Sequence, residues 1–146
     1  LHIVCCLTLD NDPRREGASR VLRSIGKWAI PVVSVLSNLL MLYNALSGTF
    51  NPVNLGTGLL GLLLIVVGNY LPKCRRNYTV GIKLPWTLHS EENWNRTHRA
   101  AGIAYMATGL LLLSAGLLVE WLAPVLLLLA GGFPCVYSFV LYKKGI

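Results

Sequence analysis

The side chains able to do chemistry are gathered between two apolar stretches, in the interval Asn69 to Gly102. It holds His89, His98, Ser90, Glu91, Glu92 and six of the thirteen basic residues: Lys73, Arg75, Arg76, Lys83, Arg96 and Arg99. A metal site would draw on the two histidines and a glutamate. Their spacing fits neither a single helical face nor a zinc pattern such as HExxH. Ser90 beside His89 invites an acyl-transfer reading, yet no nucleophile elbow surrounds it. A serine followed by two glutamates is better explained as a helix N-cap with an acidic first turn, favoured by the helix dipole. His98 reads as a helix-start residue bonded to loop backbone, although an interfacial histidine can also sense pH. There is no phosphate-cradling glycine-rich loop. The chain is therefore expected not to be an enzyme and to carry no metal or cofactor.

What must position this interval is apolar. Of 146 residues, 54% are hydrophobic and 13% charged, against roughly 25% charged in soluble domains, and mean hydropathy is +0.57. The apolar residues collect into uncharged segments instead of spreading as stripes: Trp28 to Leu46, Leu55 to Leu71, Gly102 to Val119 and Trp121 to Tyr142. Each is long enough to cross a hydrocarbon layer of ~30 Å as a helix. The opening Leu1 to Leu9 is too short to cross alone and reads as the tail of another membrane helix. The expected architecture is all-α: a polytopic transmembrane bundle of four full spans plus that N-terminal remnant. Residues 1–27 form the remnant and a basic connector, and residues 28–146 form the four-span domain with a loop at 72–98.

The charges orient it. Arg14, Arg15, Arg20, Arg23 and Lys27 precede the first span, the six listed above lie between the second and third, and Lys143 and Lys144 follow the fourth, so all thirteen fall on one side. Basic residues accumulate in cytoplasmic loops. The 72–98 loop and the C-terminus are thus expected in the cytoplasm. The net charge of +7 is read first as topology, then as attraction to anionic headgroups of the bilayer. Direct nucleic-acid binding is not expected, because the charges flank spans. The cysteines sit in apolar segments or on the reducing side, so no structural disulfide is expected.

Finer features follow from spacing. Ala18 to Lys27 can form a basic amphipathic turn at the headgroup level. Ser34, Ser37, Asn38, Met41 and Asn44 fall on one face of the first span and are expected to face other helices. Gly61 and Gly68 in the second span, and Gly102, Gly109 and Gly116 in the third, repeat at seven residues, which predicts close packing of these faces on each other or on a further helix. A kink is expected around Gly131 to Pro134 and a tight turn at Glu120. In the loop, Tyr70 and Trp86 are expected at the headgroups, Gly81 and Pro85 in irregular backbone, Ser90 as the cap, and Glu92 with Arg96 as an i,i+4 pair. Trp94, His98, Ala101 and Tyr105 share a face.

The run Asn69-Tyr70-Leu71-Pro72-Lys73, Asn77-Tyr78, Gly81-Ile82-Lys83, Pro85-Trp86-Thr87-Leu88, Ser90-Glu91, Trp94, Thr97-His98-Arg99 and Gly102 resembles the signature of the SdpI family of bacterial membrane immunity proteins. That pattern usually has Arg where this chain has Lys83, a change that keeps charge and loses the planar fork. Family members typically carry a further N-terminal pair of spans, of which residues 1–9 correspond to the end. The resemblance implies a multi-pass protein of the bacterial plasma membrane that protects the cell against a secreted, membrane-active toxic peptide. It also implies a cytoplasmic transcriptional repressor as a recruited partner. The rival expectation is a housekeeping membrane protein or permease subunit whose loop forms a cytoplasmic gate; fold resemblance alone does not separate the two.

Overall fold

The computed structural model describes residues 2–13, 20–48, 52–114 and 121–146, and among these every regular element is helical. Six α-helices follow in order: α1 (His2–Asp10), α2 (Arg20–Ser47), α3 (Pro52–Tyr70), α4 (Pro85–His89), α5 (Glu91–Ser114) and α6 (Leu122–Lys143), with a single 3-10 turn at Leu71–Lys73 after α3. Among the described residues three segments are long and apolar enough to cross a bilayer: Arg20–Ser47, Gly56–Lys73 and Leu122–Lys143. The expected third span begins inside α5, which is described as far as Ser114. Gly116 and the turn at Glu120 lie outside the described residues.

The central pairing is α3 on α5, and the glycines make it. A Cβ added at Gly68 would lie 2.7 Å from the carbonyl oxygen of Gly102, and one at Gly61 would lie 2.9 Å from that of Gly109. Real side chains do not tolerate such distances, so the two backbones can touch only where Cβ is absent. The expected apposition of the two glycine faces is therefore present. Gly58, placed near the same face by its spacing, meets nothing within 4 Å.

α2 differs from expectation in two ways. The basic turn and the first span are one continuous helix, Arg20–Ser47, passing through Pro31; proline is tolerated where membrane helices re-satisfy the freed backbone group. Its polar stripe is covered only in part among the described residues: Ser34, Asn38 and Met41 are exposed, while Ser37 and Asn44 are half-buried. Asn38 Nδ2 instead donates to the Ser34 carbonyl at 2.8 Å, the local back-bonding that lets an amide sit on an unpacked face.

α1 lies against the basic end of α2. Lys27 Nζ donates to Asp10 at 2.6 Å, and Leu9 is buried under Gly26. α6 runs unbroken through Gly131 and Pro134 and packs beside α5.

Candidate functional site

The loop between α3 and α5 closes into a platform whose fully buried side chains are mostly polar. Trp94, His98, Asn77, Asn93, Thr87, Thr97, Cys74 and Ser138 are all sealed from solvent. Leu22, Cys74 and Trp94 form its apolar centre, with Ile25, Val67, Tyr70, Val80 and Leu88 packed around them.

The backbone of the loop is organised by side-chain acceptors. Asn77 Oδ1 accepts from the backbone N–H groups of Thr79 (3.0 Å) and Val80 (2.7 Å), while its Nδ2 donates to the Arg75 carbonyl at 2.9 Å and approaches Cys74 Sγ at 3.1 Å. This is the Asx turn, in which a short amide substitutes for missing backbone partners. Asp12, buried in the connector after α1, caps the same turn from outside: Oδ2 accepts from Tyr78 N–H at 3.1 Å and from Thr79 Oγ1 at 2.6 Å. Thr87 Oγ1 accepts the Leu84 N–H at 2.9 Å at the start of α4. At the other end Arg76 donates to the carbonyls of Leu88 (3.0 Å) and His89 (3.3 Å).

His98 is held as a neutral ring. Nε2 accepts the Ile82 N–H at 3.0 Å, which leaves the ring proton on Nδ1, 2.8 Å from the Trp94 carbonyl that it donates to. The imidazole stacks on Trp94 at 3.9 Å, and burial drives its pKa from 6.5 down to about 4, partly opposed by the Trp94 hydrogen bond. Both nitrogens are committed, so the ring has no free lone pair for a metal. Gly81 makes room for it: with φ of +113° it sits where a Cβ would collide with Nε2. Trp94 Nε1 donates to the Cys74 carbonyl at 2.8 Å. The expected binding of His98 to loop backbone is what the geometry has.

A second network joins the platform to α6. Trp86 Nε1 donates to Ser138 Oγ at 2.6 Å, Ser138 Oγ donates to Asn93 Oδ1 at 3.1 Å, and Thr97 Oγ1 donates to the same oxygen at 3.1 Å. Asn93 Nδ2 donates to the Ser138 carbonyl at 3.1 Å. The Trp86 ring also packs on Phe139 and Tyr142. Trp86, expected at the headgroups, thus spends its N–H on α6. The reason is chemical: a half-buried indole needs an acceptor, and Ser138 is one.

The remaining expected residues divide by exposure. Ser90 Oγ accepts the Asn93 N–H at 3.2 Å, so the predicted cap is in place. Glu92 and Arg96 pair at 2.6 Å on the surface. Tyr70, Pro72, Gly102 and Ala101 sit at the α3–α5 crossing, where Gly102 faces Pro72 and Gly68, and Lys73 Nζ lies 4.8 Å over the Tyr70 ring. Lys83 Nζ donates to the Thr79 carbonyl at 3.1 Å. Asn69, Pro72, Tyr78, Pro85 and Arg99 are exposed, and Tyr105 is half-buried. His89 is exposed and turned onto the Pro85 carbonyl, so the two histidines do not converge. Among the described residues no group of three His, Cys, Asp or Glu could hold a metal.

Sequence reasoning missed Asp12, Arg76, Asn93 and Ser138. Only Ser138 carried a signal, being the one serine or threonine within the apolar run of α6.

Comparison with known proteins agrees with this geometry. Residues 73–138, from the turn after α3 to Ser138, match the model of the SdpI/YfhL protein family. The chain is 30% identical over 88 residues to the immunity protein SdpI of Bacillus subtilis (strain 168), an alignment covering 58% of this chain and 42% of that protein. It therefore aligns with less than half the length of that relative. No solved structure matches. The matched segment holds most of the platform, including Asn77, Trp86, Asn93, His98 and Ser138, and over that segment the chain is similar to the SdpI/YfhL family.

Proposed function

We propose that this chain is a non-enzymatic immunity protein of the bacterial plasma membrane, protecting the cell against a secreted, membrane-active toxic peptide. The observation that carries the reading is the likeness to an immunity protein, together with the family match over residues 73–138. In this reading α5 continues into a fourth full span, and the platform and the C-terminus face the cytoplasm, because all thirteen basic residues fall on that side. The helices meet toxin within the bilayer. The platform, tied to α3, α5 and α6, reports the encounter to a cytoplasmic repressor through its exposed rim at Lys73 and Arg75.

The test is survival of toxin-sensitive cells expressing the full-length protein beside Trp86→Ala and His98→Ala variants matched for membrane abundance. Protection by the parent that both variants lose is the expected result. Equal protection by all three would remove the platform from the mechanism, and no protection by any would remove the immunity reading. Reversing the charge of Lys73 and Arg75 is expected to abolish repressor recruitment while leaving the fold intact, since both are exposed and the contact of Lys73 with the Tyr70 ring lies at the surface. Arg76, which caps α4, is unsuitable for that purpose.

A further inference from the structure

A cleft of about 900 Å³ opens between α5 and α6, walled by Ala104, Ala107 and Leu111 on one side and by Leu129, Phe133 and Val136 on the other. It is almost wholly apolar and open along its length. At the platform end it runs into a second, polar recess of about 720 Å³, and the two share Ala100 and Ile103 in their walls. The polar recess carries both signs of charge: Glu91, Glu92, Arg96 and Arg99, with Asn95 among them and the Tyr137 ring across from them.

Length decides what kind of molecule fits. On α5 the apolar wall runs from Ala100 to Leu111, a rise of about 16 Å at ~1.5 Å per residue. A hydrocarbon core is ~30 Å thick, so the described part of the wall matches one leaflet. An acyl chain is the molecule with that reach. The polar recess then decides the headgroup. Glu92 and Arg96 neutralise each other at 2.6 Å. That leaves Glu91 and Arg99, on one strip of α5 with Asn95 between them, neither with an ion-pair partner among the described residues. Because helical side chains lean toward the N-terminus, Arg99 reaches back toward Asn95 and Glu91. The recess therefore offers one free cation nearer the apolar wall and one free anion farther out.

We propose that this composite cleft holds one zwitterionic phospholipid of the platform-side leaflet, an aminophospholipid such as phosphatidylethanolamine. Its phosphate is bound by Arg99, its ammonium by Glu91, and an acyl chain lies along the α5–α6 groove. The order of charges matches that of the headgroup, in which phosphate sits next to the glycerol and ammonium outermost. An anionic lipid satisfies Arg99 and leaves Glu91 facing its like charge. The inference depends on α5 and α6 lying in a bilayer and not on any toxin.

The experiment is native mass spectrometry of the purified full chain released from nanodiscs of equal phosphatidylethanolamine and phosphatidylglycerol. One phosphatidylethanolamine per chain should be retained in preference to phosphatidylglycerol. Arg99→Gln is expected to lower that retention about tenfold, the loss of one charge-assisted hydrogen bond. Glu91→Gln should remove the preference for the zwitterion while leaving total lipid retention near parental. Ile103→Trp, which fills the junction of the two recesses, should displace the lipid with an unchanged unfolding midpoint. Equal retention of both lipids by the parent, or parental retention by Arg99→Gln and Ile103→Trp, overturns the proposal.

Discussion

α2 and α5 are both long helices with a polar beginning and an apolar continuation, yet they are used in opposite ways. In α2 the only fully buried side chain is Leu22, at the platform end, and the apolar residues beyond it, such as Leu39, Met41 and Leu42, are exposed. In α5 the polar start is sealed at Asn93, Trp94, Thr97 and His98, and farther on Ala101, Thr108 and Leu112 are buried beside the glycines that bring α3 closest. Hydrophobic content therefore does not locate the core of this protein. In lipid, apolar surface gains nothing by leaving the solvent, so association falls to close backbone approach and to polar groups that need partners. α5 has both along its length, whereas in α2 the contacts described, Lys27 on Asp10 and Gly26 over Leu9, lie at its basic end.

That contrast can be broken first at the backbone. Gly68→Leu places a side chain against Gly102 and Met106 and is expected to cost roughly 3 kcal/mol or more, read as a lowered unfolding midpoint in detergent. Leu39→Ala in α2 should cost under about 1 kcal/mol, because the residue is more than half exposed. Equal losses at the two sites would erase the distinction.

The next effect is acid sensitivity of the platform. The folded His98 pKa, about 4, lies below its unfolded value of 6.5. The unfolded chain thus binds the proton first, and stability is complete above pH 6.5 and lost as pH falls toward 4. The full loss is on the order of 3 kcal/mol. It should show as a midpoint that drops between pH 6.5 and 4 in the parent and drops less in a folded His98→Gln variant.

Smaller is Trp86→Phe, which keeps the ring and removes the N–H given to Ser138. About 1–2 kcal/mol is expected, with protease sensitivity rising in the loop before α5 and not in α2. Smallest is Glu92→Gln. Its pair with Arg96 is roughly half exposed at both ends, and the change should stay within about 0.5 kcal/mol by thermal melting.

Much of this was legible where one helix carries the whole signal. Ser90 before two glutamates announced the start of α5, and the seven-residue glycine spacing announced which faces of α3 and α5 would meet. His98 was placed on backbone because nothing nearby completed a metal or catalytic set. The illegible part depends on residues far apart in the chain. Asp12 reaches Tyr78 across 66 positions, and Ser138 reaches Asn93 across 45; no local pattern records such a partner. α4 was read as irregular loop because Pro85 and Gly81 are breakers in isolation, whereas Thr87 and Arg76 supply the bonds that hold a short helix there. The polar stripe of α2 is covered at Ser37 and Asn44 and open at Ser34, Asn38 and Met41: spacing shows that residues share a face, and says nothing of what each position on it meets.

Cys74 gives the platform a built-in reporter. Its thiol is 2% accessible and lies beside the Asn77 amide at the heart of the closed loop, so a maleimide can reach it only while the loop is open. Modification is also effectively irreversible on the time of a measurement. Each opening is thereby recorded instead of averaged away, and the labelling rate becomes a running count of how often the platform lets go in a living membrane.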